Sequence, residues 1–214
     1  MINIGKYIEM LINWLTEHFA PFFDAMDSAI GGFINGFQHL LYLIPFYITI
    51  PLLAALAYVM TRVVQVPTVG GYTNLGDSMC LLAGLVLGPW YGFAAAGVGS
   101  ALVDLLSGYA HYVPGTFVIK GLVALIAAFL VRPLLRKGEK IPFWKLALLE
   151  LPSELVMVAG YFGYKALILG KGLAAAASIP NNLVQGAVGI VLSVLLYTAL
   201  SRVPDIHKAF WKGE

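Results

Sequence analysis

From Leu40 to Leu200 the chain is a succession of six apolar stretches, separated by short gaps and holding few charged residues. The stretches run at about Leu40–Thr61, Asp77–Leu87, Trp90–Leu106, Thr116–Leu135, Phe143–Leu169 and Ile179–Leu200. Hydrophobic residues make up 60% of the 214 and charged residues 11%, where a soluble domain carries about 25% charged. A chain of this length cannot fold that much apolar surface away from water, so its solvent is lipid. The expectation is an all-α membrane protein, a six-helix transmembrane bundle. The second stretch is short, since roughly 20 residues cross a bilayer as a helix. It is tilted, extended by its polar flanks, or only partly embedded.

Lys and Arg placement sets the orientation. Arg132, Arg136, Lys137, Lys140 and Lys145 flank the fourth gap, and Arg202, Lys208 and Lys212 follow the last stretch. Both groups fall on one side if the fifth and sixth stretches form a hairpin. With Lys6, nine of the 13 basic residues then face the cytoplasm. This predicts a multi-pass plasma-membrane protein with both termini inside. The loops Val69–Asp77 and Ser107–Gly115 are then external.

Residues 1–39 are different in kind. Ile4, Ile8, Leu11, Ile12, Leu15 and Phe19 recur at helical spacing, as do Phe22, Met26, Ile30, Phe33, Ile34 and Phe37 after Pro21. The opposite face is polar and mostly acidic. Such stretches lie in the membrane interface, so an amphipathic interfacial extension is expected ahead of a membrane domain at 40–203 and a cytoplasmic tail at 204–214. A docking surface for a partner is the alternative. Glu9, Glu17 and His18 stand where a signal peptide would be apolar, so no cleavable leader is expected.

Several functions are excluded at once. The net charge of +2 carries no nucleic-acid signature. Cys80 is the single cysteine, so disulfides within the chain and CxxC metal sites are ruled out. No P-loop, HExxH or GxSxG sequence occurs. No catalytic triad, cofactor or metal is expected.

The polar residues that remain are unevenly placed. Val69–Gly121 holds two Gly/Ala-rich stretches joined by a Gly-Pro turn. Tyr72, Asn74 and Asp77 precede the pair; Asp104, Tyr109, His111 and Tyr112 follow it. In a hairpin both sets fall at one end, which makes a polar mouth suited to a solute. Gly92, Ala96 and Ser100 repeat at i, i+4, i+8, and Gly84 and Gly88 do the same nearby; small residues on a stripe let helices pack closely. Ala54, Ala55 and Ala57 offer another small surface, for internal packing or for contact with a second membrane subunit.

Ionisable residues set inside the membrane are more telling, because an unpaired one costs about 2.5–3.5 kcal/mol even on the lenient insertion scale. They are Asp104, Lys120, Glu150 and Glu154. Asp104 and Lys120 approach the outer ends of adjacent helices, where they form an ion pair or meet a ligand. Glu150 lies close enough to the cytoplasmic end to reach the interface. Glu154 is deeper, and Met157, Tyr161 and Tyr164 continue its face outward, a stripe suited to a flat polar ring. Asn181, Asn182 and Gln185 open the last stretch after Pro180. Their carboxamides bond neighbouring helices or read a ligand's heteroatoms.

In order and spacing, five segments resemble the substrate-binding subunit (S component) of energy-coupling-factor (ECF) vitamin transporters. They are GGYTNLGD (Gly70–Asp77), LGPWYGFAAAGVGSALVDLLSGY (Leu87–Tyr109), PGTFVIKG (Pro114–Gly121), ELVMVAGYFGY (Glu154–Tyr164) and NNLVQGAVG (Asn181–Gly189). The resemblance covers roughly Leu40–Val203 and is strongest to the riboflavin-type and hydroxymethylpyrimidine-type branch. It implies a non-catalytic subunit that captures a water-soluble vitamin near the outer face, beneath the loop Arg62–Gly76. It also implies that the small residues of the first helix, here Ala54, Ala55 and Ala57, contact a transmembrane coupling subunit, with two ATPases supplying energy. The first ~55 residues instead resemble the start of a glycine-betaine ABC permease, through IGKYIEMLINWLTEHF (Ile4–Phe19) and GGFINGFQHLLYLIPF (Gly31–Phe46). A permease fragment or fusion, with Trp14 or Trp90 in an aromatic cage, is the alternative. A membrane enzyme built on His111 and Asp104 ranks below both.

Overall fold

The computed structural model describes residues 33–68, 71–136 and 141–201, with side chains described from Ile48 to Gln65 and from Thr73 onward within those ranges. Most of the expected N-terminal extension, including Trp14, and the tail lie outside the described residues. Six α-helices are present among them: α1 (Phe33–Val63), α2 (Gly76–Leu87), α3 (Pro89–Leu106), α4 (Val113–Arg136), α5 (Phe143–Gly163) and α6 (Ile179–Leu200). The expected stretches match these helices closely, except that α1 begins at Phe33 rather than near Leu40. Short 3-10 turns at Ala110–Tyr112 and Gly172–Ser178 and a π turn at Tyr164–Ile168 fill the connections at one end.

The α1–α2 connection departs from an all-helical fold. Val66–Thr68 (β1) and Gly71–Thr73 (β2) pair antiparallel, with Pro67 opposite Tyr72. A proline limits pairing to an edge, so the ribbon stays three residues long.

The short second stretch is explained by its position. At 1.5 Å per residue, the 12 residues of α2 rise about 18 Å, less than the roughly 30 Å of bilayer hydrocarbon. All 12 are buried, because α1, α3, α4 and α6 pack around α2. Its apolar residues are therefore core rather than lipid-facing surface. Ala110–Arg136, Phe143–Ile168 and Gly172–Leu200 are long and apolar enough to cross a membrane, and Ile48–Val63 is a shorter apolar helix.

Glycine sets how closely the helices approach. A Cβ on Gly84 would overlap the Ala124 carbonyl oxygen of α4, and one on Gly92 would sit 2.8 Å from the Gly84 Cα. On the α1 side, a Cβ on Gly99 would overlap the Ala54 carbonyl oxygen. The small-residue stripe is thus packing surface. Between α2 and α3, Gly88 turns the chain at φ 86°, ψ −176°, a conformation essentially confined to glycine. Arg132 of α4 donates to the Val86 carbonyl at 3.2 Å, satisfying an orphan acceptor at the end of α2.

The outside of the bundle is apolar. Leu52, Leu56, Leu102, Phe129, Leu148 and Leu195 are among its exposed large side chains. Trp90 and Trp144, also exposed, start α3 and α5 at the Arg132 end, where interfacial tryptophan is favoured. The opposite end gathers the hairpin, the 3-10 and π turns and nearly all the buried polar groups.

Candidate ligand-binding cleft

At that polar end, five helices and the hairpin enclose a cleft. Thr61 comes from α1, Asn74 from the hairpin exit, and Ser100 and Asp104 from α3. Tyr109 and Tyr112 lie in the α3–α4 connection, and Thr116 and Lys120 on α4. Tyr161 is on α5, Lys165 in the π turn, and Asn182 and Gln185 on α6. Its cavity volume is about 50 Å³. The cleft is a narrow slot.

Its floor is a network of charged and amide groups. Lys120 forms a buried ion pair with Asp77 Oδ1. Gln185 Nε2 donates to Asp77 Oδ2 at 2.7 Å. Gln185 Oε1 accepts from the Asn74 backbone N–H at 3.0 Å and from Asn74 Nδ2 at 3.4 Å. Asn74 Oδ1 in turn accepts the Gly76 N–H at 2.8 Å, at the start of α2. One chain of bonds therefore links α4, α2, α6 and the hairpin. A buried pair repays its desolvation only when its remaining lone pairs are satisfied, and Gln185 supplies that bond.

This corrects one expectation: the partner of Lys120 is Asp77, not Asp104. Asp104 Oδ2 accepts the Thr116 hydroxyl at 2.5 Å, and Thr116 Oγ1 lies 3.1 Å from the Tyr161 hydroxyl. Lys120 Nζ also lies 5.5 Å from the Tyr161 ring centroid, a cation–π contact.

An aromatic group stands at the mouth. The His111 and Tyr112 rings lie tilted against each other with centroids 4.6 Å apart, and the Tyr164 ring is 6.2 Å from that of Tyr112. Tyr164 donates its hydroxyl to the His111 carbonyl at 2.7 Å, joining the π turn to the α3–α4 connection. Lys165 Nζ lies 5.8 Å from the Tyr112 ring centroid.

Of the residues expected at the site, Asn74, Asp104, Tyr109, Lys120, Tyr161, Asn182 and Gln185 line the cleft together. Asp77 is fully buried behind it. His111 is exposed and Asn181 half-buried, and neither lines the cleft. The Tyr72 side chain lies outside the described ones. Glu154 is 3% exposed and borders an apolar groove between α5 and α6 rather than the cleft. Neither of its carboxyl oxygens has a hydrogen-bond partner, and Gly186 leaves room for Oε2, which a Cβ there would approach to 3.0 Å. Glu150 does not reach the interface: it is buried and accepts the Ser193 hydroxyl of α6 at 2.8 Å.

Tyr112, placed in the polar mouth by the sequence, lines the cleft too, and Thr61, Ser100, Thr116 and Lys165 complete the lining without having been expected as ligand contacts. Two were within reach of helical spacing. Lys165 is four residues beyond Tyr161, on the stripe that holds Tyr161, and Thr116 is one turn before Lys120. Among the alanines of α1, Ala57 is fully buried and Ala54 half-buried against α3, while Ala55 faces outward.

In comparison with known proteins, the family model for the ECF-type riboflavin transporter S component matches residues 47–202. A Pyrococcus woesei protein, named only as an uncharacterized protein in a gap 3′ region, is 33% identical over 129 residues, covering 60% of this chain and 82% of that one. The resemblance of the first ~55 residues to glycine-betaine permeases is not shown, and Trp90, 71% exposed, does not line the cleft. The fold, the polar cleft and the extent of the match agree: the chain belongs to the family of ECF-type riboflavin transporter S components.

Proposed function

We propose that this chain captures a planar, water-soluble vitamin or vitamin precursor in the cleft at the outer membrane face and presents it for ATP-driven uptake. The observation that carries the reading is the slot itself. Among apolar helices, carboxamides, phenols, a carboxylate and two ammonium groups converge on one narrow space. Flat walls with donors and acceptors at their edges suit a heterocycle such as a flavin, pyrimidine or pyridine. Family members are membrane-embedded substrate-binding components rather than enzymes, and work with an ECF transmembrane and ATPase module.

In this reading six membrane segments leave both termini cytoplasmic and the cleft outside, consistent with the basic residues at the opposite end. The hairpin then serves as the cover, tethered by Asn74 to Gln185. The outward face of α1, with Ala55, Leu52 and Leu56, is the contact for the coupling subunit. Ala57 supports that helix from beneath, and Ala54 packs it against α3. Tyr72, His111 and Asn181 flank the cleft closely enough in sequence to join it when the cover moves.

Calorimetry of the detergent-purified protein against a panel of water-soluble vitamins tests this. One ligand is expected to bind with one-to-one stoichiometry, and Asn182→Ala to weaken it on the order of 10-fold, the cost of about one lost buried hydrogen bond. Unchanged affinity in Asn182→Ala would remove the cleft as the binding site.

A further inference from the structure

Two carboxylates, Asp77 and Asp104, and two ammonium groups, Lys120 and Lys165, stand in or just behind the cleft, and among them one pair, Lys120–Asp77, is in contact. Lys120 is neutralised by Asp77. Lys165 is not: it is 8% exposed, lines the same cleft, and has no carboxylate within ion-pair distance among the described residues. Its interaction across the cleft is with the face of Tyr112. That contact leaves the ammonium's own N–H donors without an anionic acceptor. A second donor is equally unspent: Asn182 Nδ2 is buried with no hydrogen-bond partner. A buried amide N–H carries a desolvation cost unless an acceptor arrives, and a lysine held largely out of water gains from an anion beside it. The elements that carry them, the π turn and the start of α6, are joined by the Gly172–Ser178 turn. A π turn is a rare backbone state often found at functional sites, and here it holds Lys165.

From this geometry we infer that the ligand carries an acidic group, a carboxylate or a phosphate, which Lys165 neutralises when the cleft is filled. The inference rests on the cleft reading above and narrows it. The planar part lies among Tyr112, Tyr161 and Thr116, and the acidic oxygens meet Lys165. Asn182 donates to an acceptor of the same ligand. Selectivity against neutral analogues follows, because they leave the Lys165 charge uncompensated in a water-poor slot.

Matched pairs of probes that differ only at the acidic group test it by calorimetry on the full chain in detergent. Riboflavin 5′-phosphate against riboflavin reads a phosphate, and nicotinate against nicotinamide reads a carboxylate. At least one acidic member is expected to bind tenfold or more tighter than its neutral twin, and the pair that shows it identifies the group. Lys165→Met is expected to erase that preference, with an unchanged far-ultraviolet circular dichroism spectrum and thermal melt reporting that the variant is folded. Lys165→Arg is expected to keep the preference. If neither acidic member binds tighter than its neutral twin, the inference is overturned and the cleft reading stands; a preference that survives in Lys165→Met has the same effect. Absence of binding by all four probes and by the wider vitamin panel overturns both.

Discussion

Lys120 is the residue on which the interior turns. It is 1% exposed, in the middle of a membrane protein's core, and its partner Asp77 is wholly buried. Removing one member of such a pair strands the other, at a cost of about 3–5 kcal/mol. Asp77→Ala is therefore expected to lower unfolding free energy in a denaturant titration by that amount. Asp77→Leu combined with Lys120→Met is expected to recover most of it, since no charge is left behind. Equal stability of Asp77→Ala and wild type would contradict the network. The sequence announced that Lys120 and Asp104 needed partners but not which ones. Spacing along one helix is readable, whereas the Lys120–Asp77 pair depends on how α4 rotates against α2. The same limit explains Glu154. Its stripe with Met157 and Tyr161 was legible, yet a small rotation along α5 separates the Tyr161 face, which lines the cleft, from Glu154, which borders the groove against α6.

At the scale of elements, close approach is written in glycine. Gly84→Val and Gly99→Val each force side-chain atoms onto a neighbouring helix's carbonyl. Overpacking of this kind costs roughly 1–3 kcal/mol, and in so tight a contact the upper end is expected, read as lost stability or lost folded yield. Gly163 is the contrast. It ends α5 with open space for 4 Å around the position a Cβ would take and helical φ, ψ of −61° and −43°. Gly163→Ala is expected to be neutral or stabilising by up to about 1 kcal/mol. If all three variants behave alike, the packing account fails. The helices themselves were legible because lipid demands long apolar runs, and the Gly/Ala stripe correctly signalled packing. The β1–β2 hairpin was not legible: its six residues lack alternation strong enough to stand out, and the pairing depends on the loop being pinned to α6 through Gln185.

For the whole molecule, the two ends differ as the membrane account requires: the polar cleft at one, and Arg132, Arg136, Lys145, Trp90 and Trp144 at the other. Cys80 is fully buried, so the native chain is expected to be silent to a membrane-impermeant thiol reagent. Ala110→Cys is expected to label in intact cells. Trp144→Cys is expected to label only after permeabilisation, and the reverse pattern would invert the topology. The central claim, that the narrow slot is a vitamin site, is tested most directly by native mass spectrometry of freshly purified protein. The account predicts a single adduct with the mass of a small planar vitamin or precursor, one per chain and diminished in Asn182→Ala. A wild-type spectrum with no adduct, which stays bare after incubation with a panel of such vitamins, would contradict it.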